Sequence, residues 1–206
     1  MSFYSGFHFC LGAVIRCIFR VKVEGENNLP DEGAFIVASN HISNADPVIL
    51  AVSVKNRRKI RFMAKKELFR IPLLAQLIKA LGAFPVDRGG SDVSALKRSL
   101  TMLKNNEVVG IFPQGTRYPN VHPSTSTVRN GVGMLAKRSG AMIVPVCIET
   151  KNFKILPFFR RTYVRIGTPY MPTYTSENSE AYPEIAAEAF DHILALVQTP
   201  PTEINQ

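Results

Sequence analysis

Apolar runs and amphipathic stretches alternate along the chain. Ala34-Phe35-Ile36-Val37-Ala38 is a continuous apolar run of the length expected for a buried strand. Ile60–Ala64, Ala83–Val86, Val108–Phe112, Met142–Glu149 and Tyr163–Ile166 read the same way, and Val21–Glu24 is a short strand before a turn-rich stretch from Asn27 to Gly33. Helical signals fall between them. Asp46 followed by Pro47 is a capping side chain with proline at the first helical position, opening a helix over Val48–Val54. Leu68–Leu81 is helical, with Pro72 ending one short helix and opening the next. Asp92 caps a helix whose apolar stripe is Val93, Leu96, Leu100 and Leu103, with Lys97, Arg98 and Lys104 on the outer face. A Ser/Thr-rich loop over Pro119–Thr127 precedes a helix near Arg129–Arg138 that Gly140 closes, and residues 180–197 form a last helix. This alternation predicts a single α/β domain with a mostly parallel or mixed sheet flanked by helices.

The N-terminus departs from that rhythm. Phe3–Phe19 is apolar but interrupted by His8 and Arg16, short of the roughly 18 clean apolar residues that a spanning helix needs. Phe3, Phe7, Cys10, Val14 and Cys17 share one helical face, and Arg20 and Lys22 follow. The pattern suits a helix lying in a membrane interface, against the alternative of a terminal helix packed on the domain's own core. The expected organisation is therefore an amphipathic membrane-associating helix over 1–20, the main domain over 21–198 and a flexible tail over 199–206.

Composition narrows the classes. A chain of 206 residues, 46% hydrophobic and 20% charged, suits one globular domain. The net charge of +9 favours an anionic partner: nucleic acid, a membrane surface or a phosphorylated substrate. The basic residues are scattered without a recognisable nucleic-acid-binding motif, which disfavours nucleic acid. Three cysteines give no disulfide framework and point to a reducing compartment. No Cys/His group has zinc spacing, so no metal is expected, and no convincing cleavable signal stands at the start.

Three polar clusters each follow a predicted strand: Asn40-His41 with Asp46, Asp87-Arg88, and Gln114-Gly115-Thr116-Arg117. If the strands run parallel, all three meet at the carboxyl edge of the sheet, where open α/β sheets bind ligands. His41 can take a proton from a hydroxyl at neutral pH, and Asp46 can fix its tautomer; alone, such a pair is more often a surface histidine beside a helix cap. Arg88 and Arg117 suit a phosphate, with Gly115 and Thr116 supplying backbone N–H groups and a hydroxyl; two solvated loop arginines are the alternative. Walker, dinucleotide-fingerprint and nucleophile-elbow motifs are absent, which disfavours phosphoryl transfer and serine hydrolysis by the usual routes.

From about Val21 to Ile166 the sequence resembles the glycerolipid acyltransferase family, typified by 1-acyl-sn-glycerol-3-phosphate acyltransferase. The Asn-His-x4-Asp block stands at Asn40–Asp46 and a Gly-x-x-Phe-x-x-Arg block at Gly82–Arg88. A third block, usually Phe-Pro-Glu-Gly-Thr-Arg, stands at Phe112–Arg117, and an apolar strand with a central proline at Ile143–Val146. Ala64-Lys65-Lys66-Glu67-Leu68 matches a further family segment. The resemblance implies that His41, held by Asp46, is the general base on an acceptor hydroxyl that attacks an acyl thioester directly. It implies that Arg88, Gly115, Thr116 and Arg117, with Lys65, hold the acceptor phosphate. The implied donor is acyl-CoA or an acyl carrier protein, with no other cofactor. The implied acceptor is lysophosphatidate, acylated at sn-2 to phosphatidate on the cytoplasmic face of the cell membrane, the protein being peripheral or monotopic there. The rivals are another acceptor, such as glycerol 3-phosphate or another lysolipid, and a non-catalytic binder of anionic membranes. Gln114 stands where the family has Glu, and its expected role is to tune acceptor binding without joining proton transfer.

Overall fold

The computed structural model describes residues 12–54, 58–86, 93–155 and 159–200. A helix over residues 12–18 (α1) leads into a seven-stranded sheet. Its strands are β1 (Val21–Glu24), β2 (Phe35–Ser39), β3 (Ile60–Lys65), β4 (Phe84–Val86), β5 (Val108–Ile111), β6 (Met142–Glu149) and β7 (Thr162–Ile166). The helices between and after them are α2 (Asp46–Ser53), α3 (Pro72–Ala80), α4 (Val93–Lys104), α5 (Gly131–Ser139) and α6 (Ala181–Leu194). The strand order is β1-β7-β6-β2-β5-β3-β4. Only β6 and β7 pair antiparallel, so the sheet is mixed.

The three central strands β2, β5 and β6 are buried along almost their whole length. A parallel strand covered on both faces reads as an unbroken apolar run, which is why these were legible in the sequence. Successive residues of β2 feed opposite layers. Phe35 and Val37 join a core with Ile49 and Leu50 of α2, whereas Ile36 and Ala38 join one with Leu135 of α5 and Ile185 of α6. The outcome is a helix–sheet–helix sandwich. Ile15 of α1 is buried against the first core, while Val14 and Cys17 on its other side stay exposed. Phe3, Phe7 and Cys10 lie outside the described residues, as do Asp87, Arg88 and the expected cap Asp92. Among the described residues no helix is long and apolar enough to cross a membrane.

Several boundaries differ from the sequence expectation. The segment before Pro72 is a 3-10 helix, Lys66–Arg70, because Pro72 lacks the N–H that would continue it into α3. The helix expected near Arg129 begins at Gly131, and Arg129 N–H donates to Pro113 carbonyl at 2.8 Å. The tail expected from 199 is still held at that residue: the Thr199 hydroxyl donates to Glu149 Oε1 at 2.6 Å.

β2 and β5 are neighbours whose connections leave for opposite sides of the sheet. The chain passes from β2 to α2, packed on the first core, and from β5 to α5, packed on the second. A crevice at the carboxyl ends of such a pair is the topological switch point of an open α/β sheet.

Candidate active site

The residues after β2 begin with Asn40, whose buried amide prolongs the β2–β6 ladder. Its Nδ2 donates to Ile148 carbonyl at 2.8 Å, and Ile148 N–H donates to its Oδ1 at 2.7 Å. His41 is thereby fixed at the strand end. The segment after β5 clamps its backbone from both sides: His41 N–H donates to Gln114 Oε1 at 2.6 Å, and Tyr118 N–H donates to His41 carbonyl at 2.8 Å. Phe112 stacks on the imidazole, with ring centroids 4.0 Å apart and planes 14° from parallel.

Asp46 is fully buried and sits 2.7 Å from His41 Nδ1. The same oxygen, Oδ2, accepts from the N–H groups of Ile42 at 2.6 Å and Ser43 at 2.8 Å. The helix-cap reading is thus corrected: Ala45 is the N-cap of α2, and the Asp46 carboxylate turns back to the loop in front of it. An ionised carboxylate only accepts, so Nδ1 carries the imidazole proton and Nε2 presents a lone pair. Nε2 makes no hydrogen bond among the described residues.

Two cavities flank the loop that carries Gly115–Arg117. The first, about 540 Å³, is lined by His41, Gly115 and Arg129 and by the apolar Phe62, Met63 and Leu96. Its wall depends on Gly110: a Cβ there would come within 2.1 Å of the Phe62 ring, which lies across β5. The second, about 530 Å³, is lined by Phe19, Asn44, Thr116, Arg117 and Ile155 among others. Arg117 Nη1 donates to Asn44 Oδ1 at 3.0 Å, and Thr116 makes no hydrogen bond among the described residues.

The fold therefore gathers His41, Asp46, Gly115, Thr116 and Arg117 beyond the carboxyl ends of β2 and β5, with His41 and Gly115 on the first cavity, Thr116 and Arg117 on the second and Asp46 buried behind His41. Lys65 is exposed at the carboxyl end of β3, paired with Val86, and lines neither cavity. Arg88 lies outside the described residues. Gly115 does not offer its N–H to a ligand, because that group donates to Phe112 carbonyl at 2.9 Å. It is glycine for another reason: its φ is +67°, and a Cβ would meet Arg129 Cδ at 2.4 Å. Gln114 is corrected too. It is buried and lines neither cavity; one end of its amide holds His41 N–H, and the other donates to Ser126 Oγ at 2.6 Å.

Arg129 was not singled out in the sequence. Its side chain lies against Gly115 at the His41 cavity and has no hydrogen-bond or ion-pair partner among the described residues. An exposed arginine before a helix carries no signal of its own; only the folding of Gly115 beneath it marks it. Cys147 is excluded as a nucleophile: burial first, then Glu149, pushes its thiol far up, and it stays protonated inside β6. No group of metal ligands occurs among the described residues.

A family model described as Acyltransferase matches residues 20–149. The 1-acyl-sn-glycerol-3-phosphate acyltransferase of Bacillus subtilis is 36% identical over 129 residues, covering 63% of this chain and 62% of that protein. The protein of the same name from Streptococcus pneumoniae is 35% identical over 113 residues, 54% of this chain and 40% of its own length. The chain thus spans between two fifths and two thirds of these relatives. The crystal structure of the 1-acyl-sn-glycerophosphate (LPA) acyltransferase PlsC from Thermotoga maritima superposes with a TM-score of 0.63 over 97% of this chain and 85% of that one. At 23% identity the match shows a common fold.

Proposed function

Since the chain belongs to the acyltransferase family, we propose that it transfers a fatty acyl group from acyl-CoA or an acyl carrier protein to the sn-2 hydroxyl of lysophosphatidate, giving phosphatidate. One observation carries the reading: the His41–Asp46 pair leaves Nε2 unpartnered beside a cavity that has an apolar wall of Phe62, Met63 and Leu96, across a loop from a second cavity lined by Thr116 and Arg117. The first cavity suits an acyl chain and its thioester; the second suits a phosphate, which takes forked guanidinium donors well.

In this reading the acceptor hydroxyl lies against His41 Nε2. Its oxygen attacks the thioester carbonyl as its proton passes to Nε2, and buried Asp46 stabilises the imidazolium. The tetrahedral intermediate collapses, the C–S bond breaks, and the imidazolium returns the proton to the departing thiolate. The products are an ester and a free thiol. Nothing in this sequence needs a metal or cofactor beyond the donor. Lys65, at the carboxyl end of β3, and Arg88 are assigned to the acceptor phosphate on the family resemblance. Residues 1–20 are assigned to an anionic membrane surface, the protein sitting on the cytoplasmic face.

The test is a purified-protein assay with labelled acyl donor and a panel of lysophosphatidate, glycerol 3-phosphate and other lysolipids, reading the products. Labelled phosphatidate is expected, and His41→Ala is expected to lose about a hundred- to ten-thousandfold in rate. Product from another acceptor alone would replace lysophosphatidate; wild-type turnover by His41→Ala would end the mechanism.

A further inference from the structure

The carboxyl edge of the sheet carries more than the crevice. Two segments start from it, one on each flank: the stretch after β3, which enters α3, and the stretch after β6, which enters β7. Leu68, Ile71 and Leu73 on the first, and Ile155 and Phe159 on the second, are left exposed by the fold. Leu73 is 81% exposed and Phe159 71%, whereas Met171 and Tyr174 are exposed at the opposite edge beyond β7. Single exposed apolar residues are ordinary; bulky ones grouped on both sides of one crevice are not.

The charges around them are mostly positive, with exposed Glu67 the one carboxylate beside the first group. Exposed Lys65 and Arg70 flank the first group, and exposed Lys151, Lys154, Arg160 and Arg161 flank the second. The sequence holds no carboxylate from 150 to 176. The second segment is also tied to α1, the end of the N-terminal stretch, through Phe159 N–H to Ile18 carbonyl at 2.7 Å. Ile155 and Phe19 line the cavity of Thr116 and Arg117.

We infer that this edge is a membrane-docking face: Leu68, Ile71 and Leu73 on one flank and Ile155 and Phe159 on the other dip into an anionic bilayer while the cations beside them meet its headgroups. The contact is additional to residues 1–20. It opens both cavities toward the lipid, so a lipid acceptor reaches His41 without leaving the bilayer; in that last respect it rests on the acceptor proposed above. An acidic carrier protein would use the cations but has no need of bulky apolar side chains on both flanks.

The chain contains no tryptophan, so single-tryptophan variants of the full chain report position directly. Leu73→Trp and Phe159→Trp replace exposed side chains; Lys104→Trp, at the end of α4 by the opposite edge, is the control. Each is mixed with phosphatidylglycerol–phosphatidylcholine vesicles whose acyl tails carry bromine. Blue-shifted, quenched emission is expected at 73 and 159 and neither at 104. Emission at 73 and 159 that matches 104 overturns the inference, and so does quenching at only one of them. A shift produced by an acidic acyl carrier protein but not by the brominated tails makes the face a protein dock and overturns it as well. The readout involves no turnover, so failure here is separate from failure of the acyl-transfer assay.

Discussion

Gln114 has both ends of its amide committed within the protein, Oε1 to His41 N–H and Nε2 to Ser126 Oγ. Its influence on the reaction is therefore through the placement of His41. In Gln114→Glu both oxygens only accept, so the Ser126 hydroxyl, now donating to Pro123 carbonyl, must turn to meet one of them. The expected result is a small change in kcat with the pH–rate profile kept where His41 sets it. Gln114→Ala leaves a buried N–H unsatisfied, which costs about 1–3 kcal/mol. A fall in kcat with acceptor KM nearly constant is expected; a rise in acceptor KM at unchanged kcat would show that position 114 meets the substrate after all. The two arginines divide differently, because Arg117 and Arg129 line separate cavities. Charge-assisted hydrogen bonds are worth about 1.5–3 kcal/mol, so each alanine variant should lose roughly ten- to a hundredfold in kcat/KM. Two-substrate kinetics should place the Arg117→Ala loss on the phosphorylated acceptor and the Arg129→Ala loss on the acyl donor. Both losses falling on the acceptor would put Arg129 with the acceptor's phosphate. Arg117 was legible in the sequence as a phosphate ligand, but the places of Gln114 and Arg129 were not: Gln114 and His41 are 73 positions apart, and only the turn after β5 decides which groups of that loop face a ligand.

At the level of elements, sequence legibility follows burial. β2, β5 and β6 were visible because strands covered on both faces are apolar throughout. α4 was visible because Leu96, Leu100 and Leu103 pack inward at helical spacing. Helix starts were harder, since a capping residue type does not reveal what its side chain does: Asp46 leaves α2 uncapped and holds the His41 loop. The α5–α6 contact was hidden altogether. It rests on Gly133, where a Cβ would lie 2.1 Å from Tyr182 carbonyl oxygen. The neighbour is backbone and cannot swing aside, so Gly133→Ala must push the helices apart. Overpacking of this kind costs about 1–3 kcal/mol. Urea unfolding should show a lower midpoint at unchanged m-value; a midpoint equal to wild type would mean that the interface is looser than these distances imply.

The two ends of the domain are joined by one buried ionic cluster. Arg165 on β7 donates to Glu24 of β1 at 3.0 Å, to Glu149 of β6 at 2.9 Å and to Gln198 Oε1 at 2.9 Å. Glu149 in turn accepts from Gln198 N–H at 2.9 Å and from the Thr199 hydroxyl. The last strand, the first strand and the chain beyond α6 thus meet at a single guanidinium. Both partners of the central pair are almost wholly buried. Breaking such a pair by removing one member costs about 3–5 kcal/mol, because the other charge is left in a poorly solvating site, whereas replacing both costs far less. Arg165→Leu should therefore destabilise strongly, and Arg165→Leu with Glu149→Gln should recover much of the loss. Cys147, two positions before Glu149 on β6, reads this out directly. Its thiol is buried and held protonated, so it reacts with an alkylating reagent only when the sheet opens, while exposed Cys17 reacts in the folded protein. Alkylation of Cys147 should be fastest in Arg165→Leu and slower in the double variant. Equal rates in the single variant and wild type would mean that the cluster contributes nothing to holding β1, β6 and β7 together.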